Sequence, residues 1–134
     1  VRAGHDPALL YDPEKDKFTD LSGSGVALGL ADDWIYKSQN HLGWKPGQVV
    51  LISTDGVWET ENPQGEQFGK TRLKEVMRRL GKQATAEMIV TEILDGIRRF
   101  RGSNSPEDDT TLVAVRWRPA PAGEENFSDE GRTE

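Results

Sequence analysis

Two kinds of hydrophobic pattern divide the chain. Over about the first 60 residues, apolar side chains come in short runs. Ala8-Leu9-Leu10-Tyr11 is one such run, closed by the turn formers Asp12-Pro13-Glu14-Lys15-Asp16. Residues 17–21 then alternate polar and apolar, so 8–21 reads as a β-hairpin with a five-residue connection. The flexible stretch Ser22-Gly23-Ser24-Gly25 precedes a short apolar segment at 26–30 and a β-rich patch, Trp34-Ile35-Tyr36. Lys45-Pro46-Gly47 is a turn signal. It leads into Val49-Val50-Leu51-Ile52, a continuous apolar run of the kind found in strands buried on both faces.

Farther along, the period becomes helical. Leu73, Val76, Met77 and Leu80 fall on one stripe and predict a helix over about 70–80, with Gly81 placed to end it. Ile89, Val90, Ile93, Leu94, Ile97 and Phe100 predict a second helix over about 86–100. Thr85 is a good N-cap for it, and Glu87 sits in its first turn. Arg98, Arg99 and Arg101 crowd its C-terminal end, where the macrodipole favours cations. Their simplest role is that of a capped helix end; anion binding is the alternative. A polar loop over 103–109 precedes a last alternating strand at 111–117.

Composition narrows the choices. The chain has 134 residues, 34% hydrophobic and 30% charged, with a net charge of −6 and no cysteine. Without cysteine there is no disulfide framework, zinc-thiolate cluster, thiol nucleophile or iron–sulfur site. No run approaches the ~20 apolar residues of a membrane span. The acidic balance and lack of a basic block argue against nucleic acid or anionic lipid as the main partner. No signal peptide is evident, and the chain opens on Val1 rather than Met, so it is expected to come from something longer. From residue 118 onward, Glu124, Glu125, Asp129, Glu130 and Glu134 face only Arg118 and Arg132, and Phe127 is the one large apolar residue. Such a segment cannot offset its ordering entropy. Residues 118–134 are therefore expected to be a disordered acidic tail, and 1–117 the folded part.

Two acidic positions stand out by context. Asp55, in Ser53-Thr54-Asp55-Gly56, follows directly on the apolar run at 49–52, at the mouth of a rigid strand. Gly56 lets the backbone turn or approach a ligand closely. Asp108 and Asp109 precede the last strand, and adjacent carboxylates repel unless a cation or hydrogen bonds offset them. If the two strands are neighbours, these acidic ends converge. Carboxylates without cysteine point to a hard, oxygen-ligated ion such as Mg2+ or Mn2+. By spacing alone, a turn aspartate and a decorated loop account for the same residues. Trp34, Trp44, Trp58 and Trp117 are scattered at strand and loop edges, as expected of core or rim packing rather than a stacking platform for bases.

Five stretches, in order, carry a resemblance. Ala3-Gly4-His5-Asp6-Pro7-Ala8-Leu9-Leu10-Tyr11 is similar to an "NAGHxPxLLY" strand, and Val26-Ala27-Leu28-Gly29-Leu30 to an "xPLGL" segment. Pro46 through Val57 resembles "PGDxLLLYTDGV", and Asn62 through Gly69 resembles "NxxGExFG". Asp108-Asp109-Thr110-Thr111-Leu112-Val113 is similar to "DDxTLVV". Over roughly 1–117 the chain thus resembles the metal-dependent protein phosphatases (PPM, protein phosphatase type 2C), in the bacterial SpoIIE/RsbU-like branch.

The resemblance implies an α/β fold, a layered α-β-β-α sandwich, of which this chain would hold the C-terminal half of the catalytic domain. It implies two Mn2+ or Mg2+ ions and a shared water that attacks the phosphorus of phosphoserine or phosphothreonine, with no side-chain nucleophile. Carried over, Asp55 and Asp108 are the metal ligands and catalytic residues; Asp109 would orient the loop, and Glu59 falls where relatives hold an accessory ion. The family's Gly-Asp and Gly-His-Gly motif, with its bridging aspartate, is absent here, so the fragment alone is expected to be inactive. Arg2 and Asp6 stand where Asn is common. His5 reads as a structural histidine at a strand end, with a contact to phosphate or switch helices as the sharper alternative. The implied substrate is a phosphorylated anti-anti-sigma factor of the STAS type in the cytoplasm. A half-sandwich is also expected to be less stable than the whole, with dimerisation or strand swapping as ways to cover its open face. The alternative function is a non-catalytic protein-binding module, a degenerate phosphatase. A haloacid-dehalogenase-type phosphatase does not fit, because its nucleophilic aspartate would occupy the position of Ser53.

Overall fold

The computed structural model describes residues 2–106 and 108–118. The expected tail from 119 onward lies outside the described residues, as do Val1 and Glu107. Four strands, β1 (Ala8–Asp12), β2 (Lys17–Leu21), β3 (Val49–Ser53) and β4 (Leu112–Arg116), form one antiparallel sheet in the order β2-β1-β3-β4. Two helices, α1 (Gly69–Leu80) and α2 (Ala86–Arg101), connect β3 to β4 and cover one sheet face. The hairpin forms as expected, with Asp12 opposite Lys17 and the connection one residue shorter.

Period-2 alternation decides what the helices cover. Leu9 pairs with Leu51, which pairs with Ala114, and Tyr11 pairs with both Phe18 and Val49. These side chains share the helix-facing side. Against them pack Leu73, Val76 and Met77 of α1 and Ile89, Ile93 and Ile97 of α2, each buried and each on its predicted stripe. Phe68 and Phe100 close one end edge to face, with ring centroids 5.4 Å apart. Such pairing suits the ring quadrupoles. The Thr85 side-chain oxygen caps α2, accepting from the Met88 N–H at 3.1 Å. Gly81 and Gly102 end the two helices at φ +62° and +60°, a region glycine enters without the Cβ penalty.

The other sheet face departs from the expectation of burial on both sides. Ile52 is 40% exposed, Val113 47% and Val115 48%. These three, together with Val50 and Leu10, line the side away from the helices. A continuous apolar run states that both faces are apolar; on the second face Leu10 is buried, whereas Ile52, Val113 and Val115 have no layer over them among the described residues. The apolar segments at 26–30 and 34–36 are not strands either. They lie in the long connection between β2 and β3, where Leu28, Leu30 and Ile35 are exposed and find no strand to pair with.

A buried polar knot anchors the sheet end remote from Asp55. The Asp12 carboxylate accepts from the Gln48 side-chain amide at 3.0 Å and from the backbone N–H groups of Glu14 and Lys15. The Gln48 side-chain oxygen accepts from the Lys45 N–H. Hairpin and β3 are therefore tied at their shared end, which fixes the register carrying Ser53 to the opposite edge.

Candidate active site

Asp55 begins a short 3-10 turn, Asp55–Val57, just past the end of β3. Asp108 and Asp109 lie just before β4. Because β3 and β4 are neighbours, with Ser53 opposite Leu112, both loops emerge at one sheet edge as expected. They are locked together. The Thr54 N–H donates to the Thr111 carbonyl at 3.1 Å, and the Thr54 hydroxyl donates to the Asp109 carbonyl at 3.2 Å while accepting from the Thr111 N–H at 3.0 Å. One threonine thus splices the turn after β3 to the loop before β4.

Each aspartate also braces its own loop. The Asp55 carboxylate accepts from the Gly56 N–H at 3.1 Å, and the Asp108 carboxylate from the Asp109 N–H at 2.7 Å. The Thr60 hydroxyl donates to the Gly56 carbonyl at 2.7 Å. Asp55, Asp108, Asp109 and Glu59 are all exposed, so their carboxylates are open to ligands.

The two aspartates line different depressions. Asp55 shares an open groove with Gly4, His5, Asp6, Ser53 and Thr54. Asp108 and Glu59 line a smaller cleft with Arg101. His5 is exposed, and its Nδ1 lies 2.8 Å from the Asp6 carbonyl. A carbonyl only accepts, so Nδ1 carries the proton. Lys70 at the start of α1 pairs with Asp6 at 2.9 Å and lies over the Trp58 ring at 4.1 Å. Trp44 and Trp117 stack on each other at the opposite sheet end, as rim packing.

Oxygen donors of this kind suit Mg2+ or Mn2+. Their number falls short of a complete cage: among the described residues no group of three or more His, Cys, Asp or Glu converges on one point. The site is thus a pair of joined loops, each carrying an exposed aspartate in its own depression.

A profile of the family described as stage II sporulation protein E (SpoIIE) matches residues 1–118. The chain belongs to the SpoIIE family. Among curated relatives of this SpoIIE-family chain, the phosphoserine phosphatase RsbU of Bacillus subtilis is 31% identical over 117 residues, covering 85% of this chain and 33% of RsbU. Protein IcfG of Synechocystis is 31% identical over 120 residues, covering 86% of this chain and 18% of IcfG. The chain therefore spans a third or less of either relative. Among solved structures, the SiaA-PP2C domain of Pseudomonas aeruginosa superposes with a TM-score of 0.68 at 22% identity, over 84% of this chain and 44% of that one. The PP2C phosphatase domain of SpoIIE from Bacillus subtilis gives 0.61 at 20% identity, over 87% and 32%. The α/β fold of this SpoIIE-family chain is thus that of part of a PP2C domain, in a family of phosphatases.

Proposed function

We propose that this chain contributes to a metal-dependent serine/threonine protein phosphatase, with Asp55 and Asp108 holding Mn2+ or Mg2+. The observation that carries the proposal is the splice at Thr54, which holds the Asp55 turn and the Asp108 loop in one unit at the end of the β3–β4 pair. Divalent ions bound there supply charge neutralisation for the phosphoryl oxygens and activation of the attacking water. The chain's own residues position: Thr54 and Gly56 set the loop spacing, and the braced carboxylates face solvent, where a phosphorylated side chain can reach them. The remaining ligands are proposed to come from residues outside this chain, since the described residues offer only a partial set.

The proposed substrate is a phosphoserine- or phosphothreonine-bearing protein, of the anti-anti-sigma class that the resemblance implies. The likeness to RsbU, named a phosphoserine phosphatase, supports this reading. A cytoplasmic location belongs to the same proposal, and the absence of cysteine is compatible with it. The test is hydrolysis of p-nitrophenyl phosphate by the whole protein with Mn2+. Asp55→Ala and Asp108→Ala should each abolish turnover, and unchanged turnover in both would remove the metal assignment.

The partial donor set also supports a second reading, a non-catalytic protein-binding module. Calorimetry with Mn2+ on this chain tests that second reading, because tight binding of two ions by these residues alone contradicts it.

A further inference from the structure

We infer that Arg101 is a phosphoryl-binding residue, set in the cleft beside Asp108. The inference rests on the phosphatase reading and adds to it a contact for the substrate's phosphate.

Three arginines crowd the end of α2, and the structure separates their roles. Arg98 pairs with Asp95 on its own helix at 2.9 Å. Arg98 and Arg99 are exposed, whereas Arg101 is partly buried. Arg101 lines a cleft of about 80 Å3 with Gly56, Glu59, Thr60, Asp108 and Thr110. Its Nε is shielded from solvent and has no hydrogen-bond partner, the one buried side-chain N or O atom in that condition among the described residues. A buried guanidinium N–H without an acceptor is costly, and native structures seldom leave one so without a reason.

The nearby carboxylates do not satisfy it. The ion pairs among the described residues are Lys70–Asp6, Arg72–Glu66, Arg78–Asp16, Arg79–Glu92 and Arg98–Asp95, and Arg101 takes part in none. Glu59, Glu61 and Asp108 line the cleft with Arg101, and none of them lies within ion-pair range of it. The cleft therefore brings a guanidinium donor and carboxylates, suited to cations, into one small space. A phosphomonoester dianion fits such a place, because its oxygens accept from Arg in charge-assisted bonds and also accept cations. Arg is suited to this by its planar fork, which a Lys point charge does not reproduce.

The experiment is titration of the full chain with inorganic phosphate in the presence of Mn2+, followed by calorimetry, for wild type, Arg101→Met and Arg101→Lys. Met keeps most of the packing stem, and circular dichroism checks that the variants fold. Arg101→Met should weaken phosphate binding by about tenfold or more, with Arg101→Lys intermediate and Mn2+ affinity unchanged. In the whole protein, the same variant should raise KM for p-nitrophenyl phosphate and the Ki of phosphate as an inhibitor in parallel, with kcat little changed. Absence of phosphate binding by wild type, or equal binding by Arg101→Met, overturns the inference. A loss of Mn2+ affinity as large as that of phosphate overturns it as well, since Arg101 would then act through the carboxylates. Failure of the phosphatase reading shows separately, as turnover that survives Asp55→Ala and Asp108→Ala.

Discussion

The Asp109 carbonyl oxygen lies 2.7 Å from where a Cβ on Gly56 would stand. The carbonyl carbon is 3.3 Å from the same point, so the obstacle is backbone and cannot swing aside. Gly56→Ala should push the loop before β4 away from the Asp55 turn. Expected is a loss of about 1–3 kcal/mol in stability, together with weakened Mn2+ binding. Urea unfolding and metal titration on one preparation check both.

Thr54 uses its hydroxyl as donor and acceptor at once. Thr54→Val keeps the shape and removes both bonds, and should cost about 1–2 kcal/mol. Thr54→Ser retains the hydroxyl and should recover most of the loss. A Val variant with the wild-type midpoint and a Ser variant below it would show that β-branching, not the splice, is what this position needs.

Asp12 sets an acid limit on the fold. Burial pushes its pKa up, but bonds from Gln48 and from the Glu14 and Lys15 N–H groups outweigh this and leave it below the ordinary 3.8. A lowered folded-state pKa means the unfolded chain takes up the proton more readily. The contribution is full above the ordinary value and is lost as pH falls through the lower folded value. The Tm of the wild type should fall below about pH 4, and Asp12→Asn should flatten that part of the profile. At pH 7, Asp12→Ala should cost about 1.5–3 kcal/mol, because three donors lose a charged acceptor.

Fold and chemistry should separate cleanly by position. Ile93 is fully buried between helix and sheet, so Ile93→Ala should cost about 2–5 kcal/mol. Asp55→Ala and Asp108→Ala change exposed side chains and should stay within about 0.5 kcal/mol of wild type in the absence of metal. Thermal melts of the three variants test this. A large loss in either aspartate variant would give that residue a structural role.

Periodicity made the helical layer legible. Leu73, Val76 and Met77, then Ile89, Ile93 and Ile97, are apolar at helical spacing and are the positions that pack on the sheet. The strand at 49–53 was legible as a strand but not as half-covered, since what lies over Ile52 depends on residues elsewhere. Residues 26–30 and 34–36 have strand composition without a pairing edge, and β propensity needs such an edge to express itself. That the Asp55 turn and the Asp108 loop leave the same end of the sheet was legible from their place beside apolar strands, but the Thr54 splice was not. A hydroxyl's partners depend on a register between β3 and β4 that no local pattern states. Arg101 was visible only as one of three arginines at a helix end; the helix phase on the finished sheet is what turns it, rather than Arg98 or Arg99, toward the cleft.

The joining of β3 to β4 has a kinetic consequence. Both helices lie between these two strands in the chain, so bringing the Asp55 and Asp108 loops together closes a long segment that contains α1 and α2. Contacts of such high sequence separation form late and slow folding. A compound that bridges the two loops therefore recognises only the completed fold. Each tenfold rise in its concentration above saturation should stabilise that fold by about 1.4 kcal/mol.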